Sequence, residues 1–92
     1  MSNFTDKNYL KRLKSREDLA LTQLIEAYSD HLYRAGLGMG LSDEAAHDVC
    51  HATWSTFLEI VERFEGRSHI RTFLFGIFYN KVKELRRANK KF

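Results

Sequence analysis

Two aromatic rings and a run of cations at helical spacing carry the most distinctive chemistry in the sequence. Over residues 68–87, with about 100° between successive residues, Thr72, Phe75, Gly76, Tyr79, Lys83 and Arg86 fall on one side of a helix. Ile70, Phe73, Leu74, Ile77, Phe78 and Leu85 fall on the other, the side a surface helix buries. Outward rings followed by guanidinium and ammonium groups suit nucleotides, whose bases stack and whose phosphates need counter-charge. A solubilising helix end accounts for Lys83, Arg86 and Arg87, because cations favour a helix C-terminus. It does not account for Phe75 and Tyr79 on the same face.

Other reactive residues form weaker sets. His47 and His51 are four apart, so both could reach one metal ion, and Cys50 lies between them. No second ligand cluster accompanies them and Cys50 falls on an apolar face, so no metal and no cofactor are expected. Nucleophile elbow, glycine-rich phosphate loop, paired-carboxylate motif and triad spacing are all missing, which argues against an enzyme. An acidic helix face (Glu44, Asp48, His51, Ser55, Glu59, Glu62) with Trp54 and Leu58 at its edge reads either as a solvated face or as a docking surface for a basic helix.

These residues must be positioned by a small fold. The chain has 92 residues, no proline and five glycines, so little divides it into short strands and turns, and an all-α bundle of about four helices is expected. No apolar run approaches the ~18 residues of a membrane helix, and the first residues lack a signal-peptide core. The single cysteine fits a reducing compartment, so a cytoplasmic protein without membrane contact is expected. Charge is segregated. Residues 17–62 hold one base and nine acids, whereas residues 63–92 hold nine bases and two acids. An acidic middle beside a basic C-terminal third argues for two different partners.

The spacing predicts a short helix over residues 6–14, then one starting after a Ser15 cap and carrying the stripe Leu21, Leu24, Ile25, Tyr28, Leu32, Ala35 and Met39. Gly40 is its expected stop. Ser42 should cap a third helix from about Asp43 to Arg63, with Asp43 and Glu44 complementing the dipole. Its core face is Ala46, Val49, Cys50, Thr53, Phe57, Ile60, Val61 and Phe64. After the break at Glu65-Gly66-Arg67, Ser68 is placed to cap the fourth helix.

From about Tyr9 to Arg87 the chain resembles region 2 of the extracytoplasmic-function sigma factors, promoter-specificity subunits of bacterial RNA polymerase. The most specific match is Phe64-Glu65-Gly66-Arg67-Ser68-His69-Ile70-Arg71-Thr72-Phe73-Leu74-Phe75, followed by Ile77 and Asn80. The family there commonly has F-x-G-x-S-x-F-R-T-W-L-Y-R-I-A-R-N. Ala46-His47-Asp48-Val49 matches the family's A-E-D-L, and Lys83-Glu84-Leu85-Arg86-Arg87 its D-x-L-R-R ending. Gly76 and Tyr79 stand where arginine is common, and His51 where glutamine is usual.

The resemblance implies two partners. One is the polymerase core, whose clamp coiled coil would meet Asp48, His51, Ala52 and Ser55, with Glu59 nearby. The other is the melted, mainly single-stranded −10 promoter element, which would meet Arg67, Ser68, His69, Arg71, Thr72, Phe75, Tyr79 and Asn80. Lys83, Arg86 and Arg87 would lie near phosphates. It also implies a non-catalytic domain, monomeric in isolation, and an anti-sigma factor as a further partner. The family's second domain, which reads the −35 element, is not expected within the 92 residues. The alternative is a regulatory module with the same fold that acts mainly by occupying the polymerase clamp or an anti-sigma factor.

Overall fold

Helix boundaries follow from local side-chain and backbone chemistry. The computed structural model describes residues 7–89. They form α1 (Lys7–Lys14), α2 (Asp18–Gly38), α3 (Asp43–Ile60), a 3₁₀ turn (Val61–Arg63) and α4 (Ile70–Asn89). No strand occurs among the described residues, as the sequence leads one to expect. Asp6, the expected start of the first helix, lies outside them.

The turn between α1 and α2 differs from expectation. Glu17 N–H bonds the Arg12 carbonyl at 3.0 Å and Arg16 N–H the Leu13 carbonyl at 2.9 Å, the paired bonds of a Schellman motif. Its left-handed position is held by Arg16, at φ 60°. An arginine there costs on the order of 1 kcal/mol relative to relaxed backbone. Its side chain offsets this: Nη2 donates to the Leu58 carbonyl at 3.0 Å and lies 3.7 Å from Glu62. Ser15 therefore does not cap α2. The reversal leaves it inside the end of α1, where its hydroxyl donates to the Lys11 carbonyl at 2.7 Å. Glu17 takes the N-cap position without capping the helix through its side chain.

The end of α2 uses the same motif with glycine. Gly40 takes φ 90°, Leu41 N–H bonds the Gly36 carbonyl at 3.1 Å and Gly40 N–H the Leu37 carbonyl at 3.0 Å. Gly36 is needed for a different reason. A β-carbon on it would sit 3.3 Å from that of Ala46, so its absence lets α2 and α3 approach closely. Ser42 caps α3 as expected, its Oγ accepting from Ala45 N–H at 3.1 Å. The α-helix stops at Ile60 rather than Arg63, and the chain tightens into the 3₁₀ turn. Val61 and Phe64, three apart, are both in the core, and the 3₁₀ turn brings side chains at that separation into line.

The core is one cluster. Helix α3 packs against both α2 and α4, while α1 lies on α2 and the 3₁₀ turn. Phe57, Phe78, Leu13, Leu24 and Leu32 are fully enclosed. Tyr9 is buried with them, its hydroxyl donating to the Ala20 carbonyl at 2.7 Å, and burial pushes its phenol up to about 12. Of the expected α3 core face, Cys50 and Ile60 are only half-buried, at its margins. On α4 the inner stripe is Ile70, Leu74, Ile77, Phe78 and Val82. Phe73 is half-buried between two rings, 6.0 Å from Phe57 and 4.8 Å from Phe64.

Candidate nucleic-acid interface

The outward face of α4 begins with its cap. His69, not Ser68, fills the N-cap: its carbonyl accepts from Thr72 N–H at 2.9 Å and its Nδ1 from Arg71 N–H at 3.0 Å. Ser68 sits one residue too early for that position and is exposed. The loop before it turns at Gly66, whose φ of 77° suits glycine. Arg67 and Glu65 form an exposed pair at 3.3 Å, of the kind worth little in water.

Beyond the cap, Arg71, Thr72, Gly76, Tyr79, Asn80, Lys83, Arg86 and Arg87 are all exposed. Tyr79 retains 46% of its surface. Phe75, expected to be outward, is half-buried: the Arg71 guanidinium lies 4.9 Å from its ring centre and Phe78 backs it at 6.1 Å. The Phase of the two rings still serves a common surface, since Phe75 and Tyr79 lie 6.1 Å apart at 53°. Arg71, Thr72, Phe75, Gly76 and Tyr79 together line a recess of about 370 Å³. Arg86 has a second engagement. Its Nη2 donates to the Met39 carbonyl at 2.6 Å, at the C-terminal end of α2, where a cation also meets the negative end of the helix dipole.

A further basic surface was not apparent from sequence. Lys7, Lys11 and Lys14 of α1, with Leu10, face Phe64, Glu65 and Gly66 across a recess of about 410 Å³. The signal available was the regular spacing of the three lysines on one helix face. What could not be read was that α1 docks beside the Gly66 loop. Arg12 is directed elsewhere, to Glu17 at 2.8 Å.

On α3, Asp48, His51, Ser55 and Glu59 form an exposed face, with Ala52 half-buried among them. Trp54, at its edge, is held against α2 by a hydrogen bond from Nε1 to the Ser29 hydroxyl at 3.1 Å. The residues weighed as metal ligands point to separate surroundings. His47 stacks on Tyr33 at 4.6 Å and lies 3.7 Å from Asp43, whose carboxylate also accepts from the Tyr33 hydroxyl. Cys50 is half-buried and burial pushes its thiol up, which disfavours the reactive thiolate. Among the described residues no group of three His, Cys, Asp or Glu side chains could hold a metal ion, and no helix is long and apolar enough to cross a membrane.

The arrangement thus offers an aromatic and cationic strip on α4 and an acidic strip on α3. A family model described as Sigma-70 region 2 matches residues 24–92. No curated protein and no solved structure matches the chain.

Proposed function

From the chain's membership of the sigma-70 region 2 family, we propose how its two faces divide the family's work. Binding of the RNA polymerase core and recognition of the −10 promoter element are the functions of this domain, and the family is not enzymatic. The chemistry of RNA synthesis belongs to the polymerase. In our reading the chain is of the extracytoplasmic-function (group IV) kind, on the strength of the Phe64–Phe75 motif, and acts in the cytoplasm.

Polymerase docks on Asp48, His51, Ala52, Ser55 and Glu59, through the clamp coiled coil of its largest subunit. The −10 strand, melted, runs over Arg67, Ser68, His69, Arg71, Thr72, Phe75, Tyr79 and Asn80. Lys83 and Arg87 neutralise phosphates, together with whatever part of the Arg86 guanidinium is not given to Met39. A region that favours the unstacked strand over the duplex pulls the opening equilibrium forward, because each base on an aromatic ring gains roughly 1–3 kcal/mol. Free chain is monomeric in this reading, and an anti-sigma factor would compete for the acidic face.

The observation that carries the proposal is the separation of the two strips on different helices, the acidic one on α3 and the aromatic and cationic one on α4. Asp48→Arg should abolish most capture of core polymerase while single-strand binding by the chain alone is unchanged. Tyr79→Ala should do the reverse, lowering affinity for single strands several-fold more than for duplex. Pull-down of core enzyme and fluorescence anisotropy with labelled DNA read the two effects. If Tyr79→Ala costs nothing while Asp48→Arg costs core binding, the regulatory-module alternative is the better account, and the engagement of Arg86 with Met39 already favours it at one position.

A further inference from the structure

Three lysines of α1 are left without a counter-charge. Lys7, Lys11 and Lys14 make no ion pair and no side-chain hydrogen bond among the described residues. Arg12 of the same helix is held by Glu17, and Arg16, just beyond it, by Leu58 and Glu62. At spacings of four and three the lysines share one face of α1 and span roughly 10 Å along it. Like charges so placed weaken a helix, and this one has only eight residues. Nothing inside the protein offsets that repulsion.

The lysine face opens on the recess against the Gly66 loop, whose volume of about 410 Å³ lies within the range of small-molecule sites. Its floor is apolar. Leu10 sits among the lysines, Phe64 is buried across from it, and a β-carbon on Gly66 would touch Leu10 Cδ1 at 3.8 Å. Glu65, an acid in the lining, is met by Arg67 at 3.3 Å, so its charge is partly engaged away from the lysines. The backbone N–H groups of residues 65–68 donate to no backbone carbonyl among the described residues. The loop side therefore adds free donors beside the three ammonium groups.

We propose that this recess binds a small organic phosphate, an apolar or aromatic body carrying two or more phosphoryl charges. The phosphoryl groups lie along Lys7, Lys11 and Lys14, and the body rests on Leu10 and Phe64. Lysine meets phosphate as a point charge, whereas planar pairing with a carboxylate favours arginine. The arginines nearby, Arg12 and Arg67, are already paired with carboxylates. An acidic peptide carries one charge per side chain, while a di- or triphosphate concentrates several within the length of the lysine row. A bare phosphate ion would leave the apolar floor uncovered. Because α1 supplies one wall and the Gly66 loop the other, the ligand binds only the docked form of α1 and stabilises it. The site lies off α4 and stands independently of that helix's role with the promoter strand.

The test titrates the full chain by calorimetry, without divalent cations, using adenosine 5′-triphosphate, inorganic triphosphate and adenosine. The nucleotide should bind most tightly although it carries no more charge than inorganic triphosphate, and adenosine should not bind measurably. Lys7→Ala, Lys11→Ala and Lys14→Ala should each weaken the nucleotide about three- to tenfold. Alanine favours helix, so these variants leave α1 able to form, which circular dichroism checks. Lys81→Ala removes the same charge from α4 and should leave the affinity unchanged. Amide exchange in α1 should slow when the nucleotide is added. The proposal is overturned by an absence of saturable binding, by equal losses in Lys81→Ala and Lys11→Ala, or by binding that leaves exchange in α1 unaltered. Inorganic triphosphate binding as tightly as the nucleotide would overturn it too, leaving a charge patch without a seat. A single-stranded oligonucleotide that loses affinity in Lys11→Ala, with no binding of the nucleotide, would give the recess to the strand instead.

Discussion

Replacing Arg86 by alanine should destabilise the fold, although the residue is exposed and lies near the end of the last described helix. Its guanidinium donates to the Met39 carbonyl at 2.6 Å, and Met39 closes α2 one residue before the left-handed Gly40. A hydrogen bond from a charged donor contributes about 1.5–3 kcal/mol when well shielded. A cation at an exposed helix C-terminus contributes about 0.3–1 kcal/mol. Arg86 is solvent-accessible and Met39 half-buried, so the expected loss lies between these, about 1.5 kcal/mol. For a domain of this size that lowers the thermal midpoint by roughly 6–12 °C. Thermal melts followed by circular dichroism and by Trp54 fluorescence measure it. Arg86→Lys should recover only part, since a lysine donates from a single point at the end of a more flexible stem. Arg87→Ala, one residue on and without a carbonyl contact among the described residues, should shift the midpoint by no more than surface substitutions do, within about ±0.5 kcal/mol. Equal midpoints for wild type and Arg86→Ala would refute the tether and return Arg86 to the phosphate-binding set without qualification.

Two shorter predictions concern positions where the structure departs from simple patterns. His69→Ala should cost about 1 kcal/mol by removing the cap on Arg71 N–H, whereas Ser68→Ala should be near neutral to stability; urea titration of both variants distinguishes them. Alkaline pH should destabilise the protein through Tyr9. Its phenol is raised from 10.0 to about 12, so the folded form keeps a proton that the unfolded chain releases. The stability it contributes is complete below pH 10 and is lost as pH rises towards 12. Tyr9→Phe should flatten stability over that window, as followed by denaturant unfolding at stepped pH.

Much of the architecture was legible because its signals are local. Ser42 followed by two acids announces the start of α3, and Gly40 the end of α2, since each acts on backbone groups within a few residues. The inner stripes of α2 and α3 follow from three- and four-residue spacing, with misses at the margins, where Cys50 and Ile60 are only half-covered. Val82, four after Phe78, follows the same logic on α4 and is buried there, a member that the expected stripe lacks. What stayed hidden depends on contacts between distant segments. Arg16 holds a left-handed turn only because Leu58 and Glu62 are there to meet it. Ser15 and Ser68 are good cap residues by type, yet the chain reverses around the first and places His69 at the cap in the second case. On the candidate interface the exposed strip was readable from periodicity, but the partial cover of Phe75 by Arg71 was not. Arg86 meets a carbonyl 47 residues earlier, a pairing that no periodicity reveals.

The docking of α1 gives the molecule an unequal resistance to local opening. Eight residues are too few for a stable free helix, so α1 holds its shape only while Tyr9 and Leu13 occupy the slot formed by α2 and the 3₁₀ turn. Its connection to α2 is a turn with an arginine in left-handed geometry, held by contacts to Leu58 and Glu62, so α1 is expected to open as a unit separate from α3. Amide exchange should therefore be faster in α1 than in α3, without loss of protection elsewhere. Undocking would also carry Lys7, Lys11 and Lys14 away from the Gly66 loop, so the positive potential beside that loop exists only in proportion to the closed population.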